Sequence, residues 1–116
     1  MSEHEHQAAL FKWAEAMQEQ YPELMLLFAV PNGGFRHIAT ARKLKKEGVK
    51  AGVPDVWLPV PRKDYSGLII EFKFGKNKPT SLQNWWIEKL KVNKYMVAVV
   101  WDWIDAKDYI IRYLKL

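Results

Sequence analysis

Residues 67–76 read GLIIEFKFGK, an apolar run fit for a buried strand into which Glu71 and Lys73 are set two residues apart. Side chains alternate between faces along an extended chain, so Glu71 and Lys73 are expected on one side and Ile70, Phe72 and Phe74 on the other. The apolar side reads as core. The charged side is costly to bury unless the two charges pair or serve a ligand. The spacing therefore predicts a core strand whose polar face is not meant to be buried.

Working outward, DVWLPV (55–60) is short, rich in strand formers and ended by prolines, and PRKDYS (61–66) reads as a hairpin loop joining it to the 67–74 strand. Upstream, Leu10, Trp13, Ala14 and Met17 recur at helical spacing, which predicts an amphipathic helix over about 4–20, closed by Tyr21 and Pro22. A strand is expected over 24–30, ended by the turn residues PNGG (31–34). Residues 37–47 read as a short basic helix stopped by Gly48, and Gly52 and Pro54 break any regular pattern just before Asp55. Downstream, Thr80 or Ser81 caps a helix running to about Asn93, with Leu82, Trp86 and Leu90 on its inner face. YMVAVVW (95–101) reads as a buried strand, and Asp102 caps a last helix with Ala106, Tyr109, Ile110, Tyr113 and Leu114 in one stripe. The order αβαββαβα, with a helical crossover before the last strand, predicts an α/β fold with a mixed sheet and helices on both sides.

At 116 residues and 49% hydrophobic, the chain is expected to form one domain over residues 1–116. It has no cysteine, which excludes a disulfide framework and a thiolate metal site. The longest apolar runs, 24–30 and 96–101, fall short of the roughly 20 residues of a membrane span, and MSEHEHQAAL lacks the apolar stretch of a signal peptide. An intracellular, cytoplasmic protein with no membrane partner is expected. Eighteen Lys and Arg against thirteen Asp and Glu give a formal charge of +5, which suits a polyanion without identifying one.

Asp55 opens one arm of the hairpin and Glu71 sits late in the other, so the hairpin brings the two carboxylates together. With Lys73 beside them they form an oxygen-rich site suited to Mg²⁺ or Mn²⁺ and not to zinc, which prefers nitrogen and sulfur. Such a site answers the demands of phosphodiester hydrolysis. A metal acidifies the attacking water and offsets the charge gathering on phosphate, and a lysine orients the water or holds the phosphate.

GVPDVWL, GLIIEFKFGK and TSLQNWWIEKL together resemble the PD-(D/E)XK nuclease superfamily and, within it, the stand-alone form of the VRR-NUC (virus-type replication-repair nuclease) domain. Glu5 with Gln7, Pro31–Gly34, Ala41–Asp55, Glu71–Lys73 and Ser81–Gln83 follow the family pattern in order, over nearly the whole chain. The resemblance implies the restriction endonuclease-like fold, metal ligation by Asp55, Glu71 and the carbonyl of Phe72, and Lys73 as the catalytic lysine. It implies further that Glu5 approaches the metal from the first helix and that Gln83 supports the site. Glu3 is the other candidate for the N-terminal acid; the family spacing favours Glu5. Gln83 also has a second reading, as the partner of Thr80 in a helix cap. His4 and His6 are read as exposed and functionally neutral, because a two-residue spacing does not share a helix face.

Arg42, Lys43, Lys45, Lys46 and Lys50 immediately precede the Gly-Val-Pro-Asp corner and are expected to contact a phosphate backbone. By resemblance, Asn32, Gly33, Gly34 and Arg36 border the DNA groove. The resemblance also implies a homodimer acting on branched DNA, four-way (Holliday) junctions above all, in replication, recombination or repair, and a bacterial or phage origin. The rival readings are a restriction-type or flap nuclease and a DNA-binding module of the same fold that has lost catalysis.

Overall fold

The computed structural model describes residues 1–31 and 38–116, the side chain of Ile38 excepted. Helix α1 (Glu3–Ala16) begins at Ser2, whose hydroxyl accepts from the Glu5 N–H while the Glu5 carboxylate accepts from the Ser2 N–H, both at 3.1 Å. This capping box satisfies two donors that a helix start leaves open. The helix ends at Ala16, before the expected residue 20, where the Met17 N–H bonds the Trp13 and Ala14 carbonyls and a turn closes from the Tyr21 N–H to the Met17 carbonyl.

The apolar run 24–30 is not one strand. Pro22–Leu26 is a 3₁₀ helix, with the proline in the first turn, where its missing N–H costs nothing. Leu24 and Leu27, three residues apart, are buried, and Met25 and Leu26 are exposed. Only Phe28–Ala29 forms a strand, β1. Helix α2 (Ile38–Lys46) closes with the Gly48 N–H on the Lys45 carbonyl and the Val49 N–H on the Leu44 carbonyl, the paired bonds of a Schellman motif.

The hairpin consists of β2 (Val56–Leu58) and β3 (Gly67–Phe72), and β4 (Tyr95–Val100) follows helix α3 (Ser81–Val92). The chain ends in helix α4 (Trp103–Leu114), capped by the Asp102 carboxylate at 2.8 Å from the Asp105 N–H. The sheet order is β1-β2-β3-β4, antiparallel except for the parallel β3–β4 pair that α3 connects. This is the mixed α/β sheet the element order predicts, with one 3₁₀ helix added.

Strand β3 is buried along its whole length. Its Leu68, Ile70 and Phe72 join Leu10 and Ala14 of α1 and Ala106, Ile110 and Tyr113 of α4 in the main core, each large apolar side chain contributing about 1.5–3 kcal/mol. On the other face Ile69 lies on the side of α3, whose buried residues are Ile87 and Leu90. Three inner-face expectations change. Phe74 is exposed, because β3 stops at Phe72 and a turn closes from the Asn77 N–H to the Phe74 carbonyl at 3.0 Å. Leu82 is exposed, and the inner line of α3 is Gln83, Ile87 and Leu90. Tyr109 lies at the edge of its stripe with the Arg112 guanidinium 4.9 Å over its ring. Two long-range bonds tie the end of α4 to the hairpin: the Tyr113 hydroxyl donates to the Val60 carbonyl at 2.6 Å, and Arg62 donates to the Leu114 carbonyl at 3.1 Å. Among the described residues, no helix is long and apolar enough to cross a membrane.

Candidate active site

Val56 pairs with Ile70 across the antiparallel hairpin, so Asp55 falls beside Glu71, one step further along the register. The backbone and side chains then interlock. The Asp55 N–H donates to Glu71 Oε2 at 3.2 Å, and the Phe72 N–H donates to Asp55 Oδ2 at 3.0 Å. Each carboxylate is held by the other's strand, so neither is free to turn away.

The corner that delivers Asp55 is fixed from behind. Gly52 has φ +85, and a Cβ there would stand 2.7 Å from Leu82 Cγ, so only glycine lets the loop lie flush on α3. The Trp86 indole N–H donates to the Ala51 carbonyl at 3.0 Å, and the Trp57 indole N–H donates to the Pro54 carbonyl at 3.0 Å. Leu82 and Trp86, read from sequence as core residues, serve this loop instead.

Gln83 performs both of its candidate roles at once. Its Oε1 accepts from the Thr80 N–H at 2.9 Å while its backbone N–H donates to Thr80 Oγ1 at 3.2 Å, which completes a capping box. Thr80 N–H can only donate, so the amide oxygen is committed there. Nε2 is left to donate to Glu71 Oε1 at 3.1 Å. Lys73 Nζ lies 3.9 Å from the same oxygen.

Glu71 and Lys73 are 2% and 8% exposed. The expectation of an open polar face is therefore corrected: the pair is buried, and a network of donors compensates it. The compensation is incomplete. Burial, and after it the charge of Asp55, pushes the Glu71 carboxyl up to about 8. Burial also raises Asp55, against the Phe72 N–H that favours its charged form. Two acids packed together with one nearby ammonium hold a surplus of negative charge, and such perturbed pairs mark functional sites.

Glu5 is exposed and engaged in its cap, and its bonds to Ser2, the backbone one first, hold its carboxyl below the ordinary value. The acid of α1 whose charge bears on Asp55 is Glu3, which is half-buried. The string Ser2-x-x-Glu5 is a capping-box signature and could have been read as one. His6 is not simply exposed: its Nδ1 accepts from the Trp103 N–H at 3.2 Å and so joins α1 to the start of α4.

Among the described residues the candidate ligand atoms of the site are oxygens, the chain has no cysteine, and His6 is committed elsewhere. The set fits a hard divalent cation, which Asp55 and Glu71 could hold. Among the described residues, no third Asp, Glu, His or Cys completes a cluster around the pair. Arg42, Lys43, Lys45, Lys46 and Lys50 are all exposed on α2 and the loop after it. Asn32, Gly33, Gly34 and Arg36 lie outside the described residues. A cavity of about 490 Å³ under α2, lined by Ala41, Leu44, Lys45, Val49 and Lys50, contains none of the acids.

The sequence model of the VRR-NUC domain matches residues 1–101. Among solved structures, one described as a "VRR_NUC domain protein" superposes with a TM-score of 0.83 at 30% sequence identity, covering 100% of this chain and 90% of that one. Comparison with curated proteins gives no match.

Proposed function

The chain belongs to the VRR-NUC family of nucleases, and we propose that it is a metal-dependent, structure-selective DNA endonuclease that hydrolyses phosphodiester bonds at the Asp55–Glu71–Lys73 site. The observation that carries this reading is the interlocked pair of acids, both raised by burial and Glu71 further by the charge of Asp55, with a lysine 3.9 Å from Glu71.

In this reading Asp55, Glu71 and the carbonyl of Phe72 hold Mg²⁺ or Mn²⁺. Bound there, the cation would acidify a water and draw charge from the phosphate oxygens. Gln83 holds the Glu71 carboxylate in one orientation. Lys73 orients the water or holds the phosphate, and burial keeps its charge effective by limiting solvent screening. Glu3 or Glu5 adds negative charge from α1, the described placement favouring Glu3. The basic face of α2 takes the phosphate backbone, and the preferred substrate is branched DNA, in particular the four-way junction. Two symmetric incisions need two sites, so the active form is a homodimer.

Purified protein is incubated with linear duplex, flap and four-way-junction DNA in Mg²⁺, Mn²⁺ or EDTA, beside Asp55→Ala. Metal-dependent cleavage favouring the junction is expected, with a loss of about 1,000-fold or more in the variant, equivalent to ~4 kcal/mol of transition-state stabilisation. Cleavage surviving in Asp55→Ala would overturn the site. Equal cleavage of linear duplex would remove the junction reading and leave the nuclease. Lys45→Glu with Lys46→Glu should weaken binding and reduce the slope of log K against log salt by about 2; an unaltered slope would remove α2 from the interface.

A further inference from the structure

Phe74 follows Lys73 directly and is 51% exposed, two residues past Phe72, the last residue of β3, which is 1% exposed. The segment that carries it is anchored at both ends. Lys73 N–H bonds the Val100 carbonyl at 2.9 Å, which continues the β3–β4 ladder, and the Trp101 indole N–H donates to the Asn77 carbonyl at 3.1 Å. Between these anchors the Asn77 N–H closes a turn on the Phe74 carbonyl. The turn presents one outward aromatic ring together with Lys76 and Lys78, both exposed, and residues 72–87 contain no Asp or Glu. An apolar ring is thus displayed on a wholly basic segment, one residue from the ammonium of the site.

We propose that Phe74 stacks on an unpaired or unstacked base beside the scissile phosphate, with Lys76 and Lys78 on the flanking phosphates, and that this contact gives the enzyme its preference for branched DNA. The inference rests on the nuclease reading above. Phe74 is the residue after Lys73, with Cα atoms about 3.8 Å apart, so a strand whose phosphate is held at the site runs beside the turn that carries the ring. In a linear duplex both faces of every base are stacked, so the ring has nothing to receive. A branch point or single strand offers a free face, and aromatic stacking accepts any base because every base has a π-face. The lysines supply attraction to the backbone and no sequence preference.

The test uses the full chain in two assays. In EDTA, junction DNA carrying 2-aminopurine at the nucleotides flanking the branch should change fluorescence on binding wild type, fail to change with Phe74→Ala at saturating protein, and change again with Phe74→Tyr. In Mg²⁺, the ratio of kcat/KM on junction to that on linear duplex should fall about ten-fold or more in Phe74→Ala and recover in Phe74→Tyr. An unaltered ratio, or an unaltered probe signal, in Phe74→Ala would overturn the proposal. The two readings fail separately. Protein that cuts DNA with the same ratio in Phe74→Ala keeps the nuclease and loses the stacking residue, whereas a Phe74-dependent probe signal without cleavage does the reverse.

Discussion

The two faces of β3 are equally buried and chemically opposite. Leu68, Ile70 and Phe72 meet α1 and α4 through apolar side chains alone. Ile69, Glu71 and Lys73 lie towards α3, and there the burial includes a carboxylate and an ammonium. Exposure does not distinguish a packing face from a reactive one. The distinction lies in what the buried atoms need: carbon needs only neighbours, whereas Glu71 needs Gln83 Nε2, the Asp55 N–H and Lys73, and still retains a proton well above its ordinary range.

Substitutions on either face should therefore fail in different ways. Phe72→Ala on the packing face is expected to cost about 3–5 kcal/mol in stability by leaving a cavity. Urea unfolding should show this, with activity per folded molecule largely kept. A loss of activity without destabilisation would mean that the two faces do not divide the work as described.

Glu71→Gln should do the reverse. The folded carboxyl titrates at about 8 against 4.5 as its ordinary value, so between those values the folded state keeps a proton that the unfolded chain has released. Its contribution to stability is complete below about 4.5 and is lost as pH rises through 8. Metal-free wild type should therefore lose stability across that window. Glu71→Gln should flatten the loss, gaining about 1–2 kcal/mol at pH 8 in EDTA, seen as several degrees in Tm, while abolishing cleavage. A variant no more stable than wild type at pH 8 would remove the strained-acid account of this face.

Gln83 serves a helix cap and an acid with one amide, and two substitutions separate the roles. Gln83→Ala loses both and should cost about 1 kcal/mol. Gln83→Glu keeps an acceptor for the Thr80 N–H but sets a carboxylate where Glu71 had a donor, so it should keep the cap and lower cleavage. Equal activity in Gln83→Glu and wild type would reduce Gln83 to a cap.

Much of this was legible in the chain because it is short-range. Thr80 with Gln83 and Asp102 with Asp105 are caps written within four residues, and the hairpin with its two acids follows from alternation and turn residues at 55–74. Other features could not be read locally. LMLLFAV carries no period that separates a 3₁₀ turn from a strand, and Leu24 and Leu27 are chosen by the core they meet. Phe74 was assigned inward by alternation, which a turn closing on its own carbonyl interrupts. Leu82 and Trp86 match the helical period of a core face, yet their partner is the loop at Gly52, thirty residues upstream.

By itself, the sequence determined the elements other than the 3₁₀ turn at 22–26, their order, and the pairing of Asp55 with Glu71, because each rests on hydrogen bonds and side-chain periods spanning a few residues or one hairpin. The tertiary structure decided that the charged face of β3 would be buried, that the charge of Glu3 would bear on Asp55, and that His6 would meet Trp103. These depend on which distant surfaces are pressed together, and no local pattern records the desolvation that follows.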